Sequence, residues 1–131
     1  MSEFEKFMKK NKKERKNVKY AATKSLCDDN GKPLEWEIKP VTSRVNEELR
    51  AECSHNGVID LQKYRQKIMC ASIVYPNLSD ASLQDSYGVM NEEELLLEMV
   101  DNTKEFDELF LLINKISDTE TLAEKVEESK N

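Results

Sequence analysis

A chain of 131 residues, 38% hydrophobic and 35% charged, has the size of one domain and the material for a modest core. No apolar run approaches the roughly 18 to 20 residues of a membrane span. Three prolines and three glycines favour helices over a strand-rich fold.

The net charge of −6 is lopsided: residues 1–24 hold nine Lys or Arg against three Glu, and the remainder holds eleven against twenty-three acids. Such a chain is a charge dipole, able to pair its ends or to stack head to tail with copies of itself. Met1 to Lys10 is charged, with only Phe4, Phe7 and Met8 as large apolar residues, so no signal peptide or lipidation motif is expected. Cys27, Cys53 and Cys70 lack CxxC spacing and suit free thiols in a reducing cytoplasm.

Residues 2–10 place Phe4, Phe7 and Met8 at i, i+3 and i+4, one short amphipathic face. A helix this short is unstable alone and must dock, on its own domain or on a neighbour. The run Lys9 to Asn17 is a basic linker. A nucleic-acid patch over Lys9 to Lys19 is the alternative, but no aromatic residues interleave for base stacking.

Leu34, Trp36 and Ile38 alternate with Glu35, Glu37 and Lys39, which predicts a half-buried strand. It pairs with a strand near Val18 to Leu26 through the Asn30-Gly31 turn. A lone hairpin is marginal, so its apolar face must lie on helices. A calcium loop fails here, because Leu26 would occupy its first ligand position.

Pro40 ends this strand, and Thr42 or Ser43 caps a helix to about Ser54 bearing Val45, Leu49 and Cys53. Asn56-Gly57 breaks that helix. Asp60 caps a wide-faced helix from Leu61 to Val74, with Tyr64, Ile68, Ala71 and Tyr75 in its stripe. Pro76 stops it. Ser79 then caps a short helix from Asp80 to about Tyr87, and Gly88 terminates it in the left-handed region. Asn91 caps the next helix, with Glu94 three residues on; it carries Leu95, Leu96, Met99 and Val100. Thr103 caps a helix with Phe106, Leu109, Phe110, Ile113 and Ile116 in register. Asp118-Thr119 starts a last helix with Leu122, Ala123 and Val126. The expected organisation is a basic arm over 1–17, one compact domain over 18–126 and a frayed tail over 127–131. Within the domain a hairpin over 18–41 precedes helices over 43–126. The fold class is mainly α with a small β-hairpin (α+β), a bundle of five or six helices on a two-stranded antiparallel hairpin.

Chemistry is sparse. His55 is the lone histidine, and with Cys53 it falls short of the four-ligand set of a structural zinc site. Cys53 and His55 on a helix would not face each other as nucleophile and base. No phosphate loop or nucleophile elbow is present. Glu92 to Glu94 and Glu127-Glu128 suit helix ends and solvated faces. No catalytic residue, cofactor or metal is expected. Surface remains. The Phe106 to Ile116 helix is apolar on more than one stripe, so it is either buried or covered by a partner. Candidate partner-binding residues are Phe4, Phe7, Met8, Leu95, Leu96, Phe106, Leu109, Phe110 and Ile113.

Several motifs stand in a distinctive order: Phe4 and Phe7 in a lysine-rich arm, the Asp28-x-Asn30-Gly31-Lys32-Pro33 turn, then Trp36-Glu37-Ile38. Pro76-Asn77-Leu78 and Leu83-Gln84-Asp85-Ser86-Tyr87-Gly88 follow. In this order the chain resembles the XkdN-like phage tail assembly chaperones over most of residues 4–100. Asp101-Asn102-Thr103 departs from the family's usual Pro-Gly turn. The resemblance implies a cytoplasmic chaperone in a bacterial host, not an enzyme. Its implied partners are the tape measure protein, tail tube subunits, and copies or a longer frameshifted form of itself, with no nucleic acid and no membrane. The tape measure is long and largely helical, with apolar stripes that need cover. The alternative is a cytoplasmic interaction adaptor of other function, or a nucleic-acid-binding accessory using the basic arm.

Overall fold

Trp36 and Ile38 alternate with a charged residue, and this pattern forms the middle of a sheet. The structure, a computed structural model, describes residues 2–118. Strand β1 (Val18–Tyr20) pairs antiparallel with β2 (Trp36–Ile38), with Val18 opposite Ile38 and Tyr20 opposite Trp36. Trp36 and Ile38 are fully buried. Leu34 precedes the strand and stays largely exposed, outside the buried face expected for it.

The Asn30-Gly31 turn forms at the tip of this long hairpin. Asp28 Oδ1 accepts from the backbone amides of Asn30 and Lys32, both at 2.9 Å, and Gly31 takes φ +79°. A tighter hairpin lies elsewhere. Helix α1 (Ser43–Glu52), capped by Thr42, leads into β3 (Ser54–His55) and β4 (Val58–Ile59), which pair antiparallel. Between them Asn56 and Gly57 take φ +53° and +78°, positive at both central positions as a type I′ turn demands. Only a helix break was expected there.

Helix α2 (Leu61–Ser72) starts at Asp60, whose side chain accepts from the Lys63 amide. It ends two residues short of the expected Val74. Ile73, Val74 and Tyr75 form a third strand, β5, antiparallel to β2, giving the order β1-β2-β5. Two β-branched residues and an aromatic favour the strand, and Pro76 bars Tyr75 from the helical region. The sheet is therefore three-stranded rather than a lone hairpin.

Three helices complete the described residues: α3 (Ala81–Ser86), α4 (Glu92–Met99) and α5 (Thr103–Ile116). Their caps are Asp80, Asn91 and Asn102, each accepting from the amide three residues on. Ser79 and Thr103, the expected caps of α3 and α5, are displaced by one position. The α+β class and the five helices with an N-terminal hairpin agree with expectation. The helix expected after Asp118, with Leu122, Ala123 and Val126, lies outside the described residues, as does the tail.

Helix α2 is the hub. It packs against α1, α4, α5 and β5. Its C-terminal half buries Ile68, Met69, Cys70 and Ser72. They join Trp36, Ile38, Leu95, Leu96, Leu109 and Ile113 in the core. Leu96 is 0% exposed, while its neighbour Leu97 is 42% exposed. Urea unfolding should separate them. Leu96→Ala should cost about 2–5 kcal/mol through the lost contacts and the cavity left behind. Leu97→Ala should stay within about 0.5 kcal/mol of the parent.

Candidate partner-binding surfaces

The nine residues expected to meet partners divide into two groups. Leu95, Leu96, Leu109 and Ile113 are fully buried, Phe106 nearly so, and Phe110 packs half-buried against the core. The sequence left the α5 stripe open between core and partner face, and the structure places it in the core. The α5 groups point at α2, and Leu95 and Leu96 close the same interior. In the folded chain these side chains leave little apolar surface exposed.

Phe4, Phe7 and Met8 behave oppositely. Phe4 is 73% and Phe7 85% exposed, and Met8 is exposed as well. The arm forms two 3-10 turns, Phe4–Phe7 and Lys9–Asn11, with Met8 extended between them, instead of the expected amphipathic helix. Lysines at 6, 9, 10, 12 and 13 bring like charges to i, i+3 and i+4 spacing, which opposes a continuous helix. In a 3-10 turn residues i and i+3 eclipse, so Phe4 and Phe7 stand on one side.

The arm rests at one end of the body. Its residues Phe7, Lys9, Lys12 and Arg15 line a groove with Lys39, Pro40 and Thr42. Arg15 lies 4.0 Å from Asp118, just past α5. Ser117 Oγ accepts from the Val41 amide at 2.9 Å, fixing the α5 C-terminus beside the same loop.

At the other end of α5 lies a feature the sequence reading missed. Leu97, Val100 and Phe106 line a shallow recess together with the polar Arg65, Asp101, Asn102, Thr103 and Asp107. The Arg65 guanidinium stacks over Phe106 at 4.8 Å and Phe110 at 5.6 Å, and donates to Asp107 Oδ1 at 3.0 Å. Glu94, Leu97 and Glu98 on α4, and Asp101 just past its end, are all exposed. The one signal in the sequence was the triple leucine 95–97, where a helix cannot bury all three on one narrow face.

The Pro76 to Gly88 stretch is a corner. Leu78 is buried, and Leu83 and Tyr87 pack on the core. Gln84 Nε2 donates to the Leu78 carbonyl at 2.8 Å, and the Gln84 carbonyl accepts from the Val89 amide at 3.1 Å. Asn77 Oδ1 accepts from the Ser79 amide. The Asp85 carbonyl accepts from the Gly88 amide, with Gly88 at φ +70°. Ser86 Oγ donates to the Leu83 carbonyl, and Ser79 Oγ donates to Glu92 on α4. These bonds set the angle between β5 and α4.

The thiols and the histidine are apart. Cys53 is buried, and burial pushes its thiol up. Burial also pushes Cys70 up to about 12. Both shifts run against thiolate formation, the reverse of nucleophile activation. Cys27 and His55 are exposed. Among the described residues no cluster of three or more His, Cys, Asp or Glu could hold a metal ion.

A model of the phage XkdN-like tail assembly chaperone proteins matches residues 4–130. The chain belongs to that family. Membership supports a chaperone role in phage tail assembly, with protein partners there. The crystal structure of the protein yqbn is similar in fold, with a TM-score of 0.80 at 18% identity. The match covers 92% of this chain and 99% of that one. A search of the curated proteins finds no match. Among the described residues no helix is long and apolar enough to cross a membrane.

In this family member one ionic cluster links three helices. Lys67 on α2 contacts Glu93 on α4 at 2.9 Å and Glu52 on α1 at 3.2 Å. Hydrogen bonds to Glu93 and Glu52 raise the Lys67 ammonium to about 12. Burial alone would raise the Glu93 carboxyl, but the Lys67 hydrogen bond, local backbone bonding and positive charge together hold it below its ordinary value. A lowered carboxyl stabilises the fold above its unfolded pKa and loses that contribution as pH falls through the folded pKa. Glu93→Gln should therefore cost about 0.5–1 kcal/mol at neutral pH. The difference should vanish in acid once Glu93 itself is protonated, as urea midpoints across pH would show.

Proposed function

We propose that this protein covers apolar stripes of the tape measure protein during tail construction and brings tail tube subunits to it, in the cytoplasm of a bacterial host. The family match over residues 4–130 carries the reading. The distribution of exposed apolar groups supports a contact through the arm. The large apolar groups of α4 and α5 that would serve a client are mostly committed to the core. Two exposed phenylalanines lie on the arm, and the exposed Leu97 lies on an acidic helix face.

The function divides along the chain in the same way. Residues 2–17 act as a basic contact arm, and the body that begins at β1 holds it. The body needs no bound metal or cofactor for this work, because no bond is made or broken. Covering a helical stripe is a matter of area and shape, and exposed Phe, Met and Leu side chains supply both.

Co-expression tests this reading. The tape measure protein, made with a tag in the same cells, should be soluble and should retain this chain and the tube protein through purification. Phe4→Ala with Phe7→Ala should lower the retained amount several-fold at unchanged expression and circular dichroism. A tape measure that stays equally soluble without this chain, and never retains it, would overturn the proposal.

A further inference from the structure

We infer that Asn56 is a modification site, converted without an enzyme to aspartate and isoaspartate through attack by the Gly57 backbone nitrogen. Asn-Gly stands twice in the chain, at 30–31 and at 56–57. A glycine in second place leaves the attacking nitrogen unscreened, because it has no Cβ. Both pairs are exposed, so access to solvent does not separate them. What separates them is how each peptide unit is held.

The step balances with water alone. The Gly57 nitrogen loses its proton and bonds to Cγ of the Asn56 side chain. The Cγ–Nδ2 bond breaks, and the nitrogen leaves as ammonia. A cyclic imide remains, and water opens it at either carbonyl. One opening gives aspartate. The other gives isoaspartate, in which the main chain runs through the side-chain carbons.

Two conditions govern the attack. The glycine amide must be free to give up its proton, and the backbone at the asparagine must turn until that nitrogen lies beside Cγ. At the first pair both are opposed. The Gly31 amide donates to the Asp28 carbonyl at 3.0 Å, and the Asp28 amide donates to the Lys32 carbonyl at 2.8 Å. Asp28 Oδ1 also holds the amides of Asn30 and Lys32. At the second pair, neither the Asn56 nor the Gly57 amide donates a hydrogen bond among the described residues. Two ladder pairs hold the turn from below, Ser54 with Ile59 and His55 with Val58. Val58 is 70% exposed, so the tip stands clear of the body. Asn56 takes φ +53°, a crowded region for a residue with a side chain, and turning the backbone relieves that crowding.

The consequence falls on the junction of α1 and α2, and it is independent of the partner role. Isoaspartate lengthens the main chain, and a register fixed by a two-residue turn does not survive the insertion. Beneath the turn the Asp60 amide donates to the Cys53 carbonyl at 2.8 Å, and Cys53 is 0% exposed. Conversion at Asn56 therefore loosens the cover of the Cys53 thiol.

Ageing the intact chain in warm buffer tests this. Tryptic peptides 25–44 and 51–63 hold Asn30 and Asn56 respectively, each without another asparagine, and the mass gained on amide loss reports each site. Peptide 51–63 should convert several-fold faster than 25–44, and faster in alkaline than in neutral buffer, because the attacking nitrogen must lose its proton. In concentrated denaturant the two rates should converge. Asn56→Gly, which accepts a positive φ freely, should keep the circular dichroism of the parent and stop the conversion in 51–63. Labelling of Cys53 by a thiol reagent should rise several-fold with age in the parent and stay flat in Asn56→Gly. Conversion of 25–44 as fast as 51–63 in the folded chain, rates that stay apart in denaturant, or Cys53 labelling indifferent to conversion would overturn the inference.

Discussion

Two hydrogen bonds between Ser72 and Lys39 tie the helical layer to the sheet. The Lys39 amide donates to the Ser72 carbonyl at 2.8 Å, and Ser72 Oγ donates to the Lys39 carbonyl at 2.5 Å. Ser72 is fully buried, so leaving either bond unmade would strand polar groups away from water. The bonds fall where α2 becomes β5. Because the helix ends there, Ile73 pairs with Ile38 and the chain turns at Pro76 towards α3 and α4. The Pro76 to Gly88 corner then sets where α4 lies, and α4 with α5 closes the core over α2. One junction thereby governs which leucines face inward and which, like Leu97, are left outside.

The division of apolar groups between core and surface follows from length. Helix α5 is long enough to lay Phe106, Leu109 and Ile113 along α2 while Glu105 holds the β1 loop through Thr23 and the Lys24 amide. The arm has no such length. Two short turns crowded by lysines bury none of their apolar groups. The same lysines that forbid a helix keep the exposed rings in solution, since charge close to an apolar patch opposes indiscriminate association. The basic arm and the acidic α4 face are two ends of one charge distribution, already visible as the asymmetry of the chain.

Much of this was legible in the sequence. The period of two at Trp36 and Ile38 marked a half-buried strand, Asp60 and Asn91 marked helix starts, and the ordered set of motifs marked the family. The losses have physical causes. Ile73 to Tyr75 continues the periodicity of α2, and only pairing with β2 converts it to strand. Asn-Gly occurs twice, and the sequence does not say which pair is flanked by strands close enough for a tight turn. The stripe of Phe106, Leu109 and Ile113 has the same pattern whether a core or a partner covers it. The recess could not be found at all, because Arg65, Leu97 and Phe106 come from three helices and meet only after folding.

Magnitudes decide what kind of contact the arm can make. Burying a phenylalanine fully yields about 1.5–3 kcal/mol, so two rings supply about 3–6 kcal/mol. Losing the free motion of two bodies costs about 4–15 kcal/mol, and screened surface charges add about 0–1 kcal/mol per pair. One arm on one partner is therefore a weak joint. Where several such joints share one partner, the contacts after the first become nearly intramolecular, and the whole holds more firmly than any single arm.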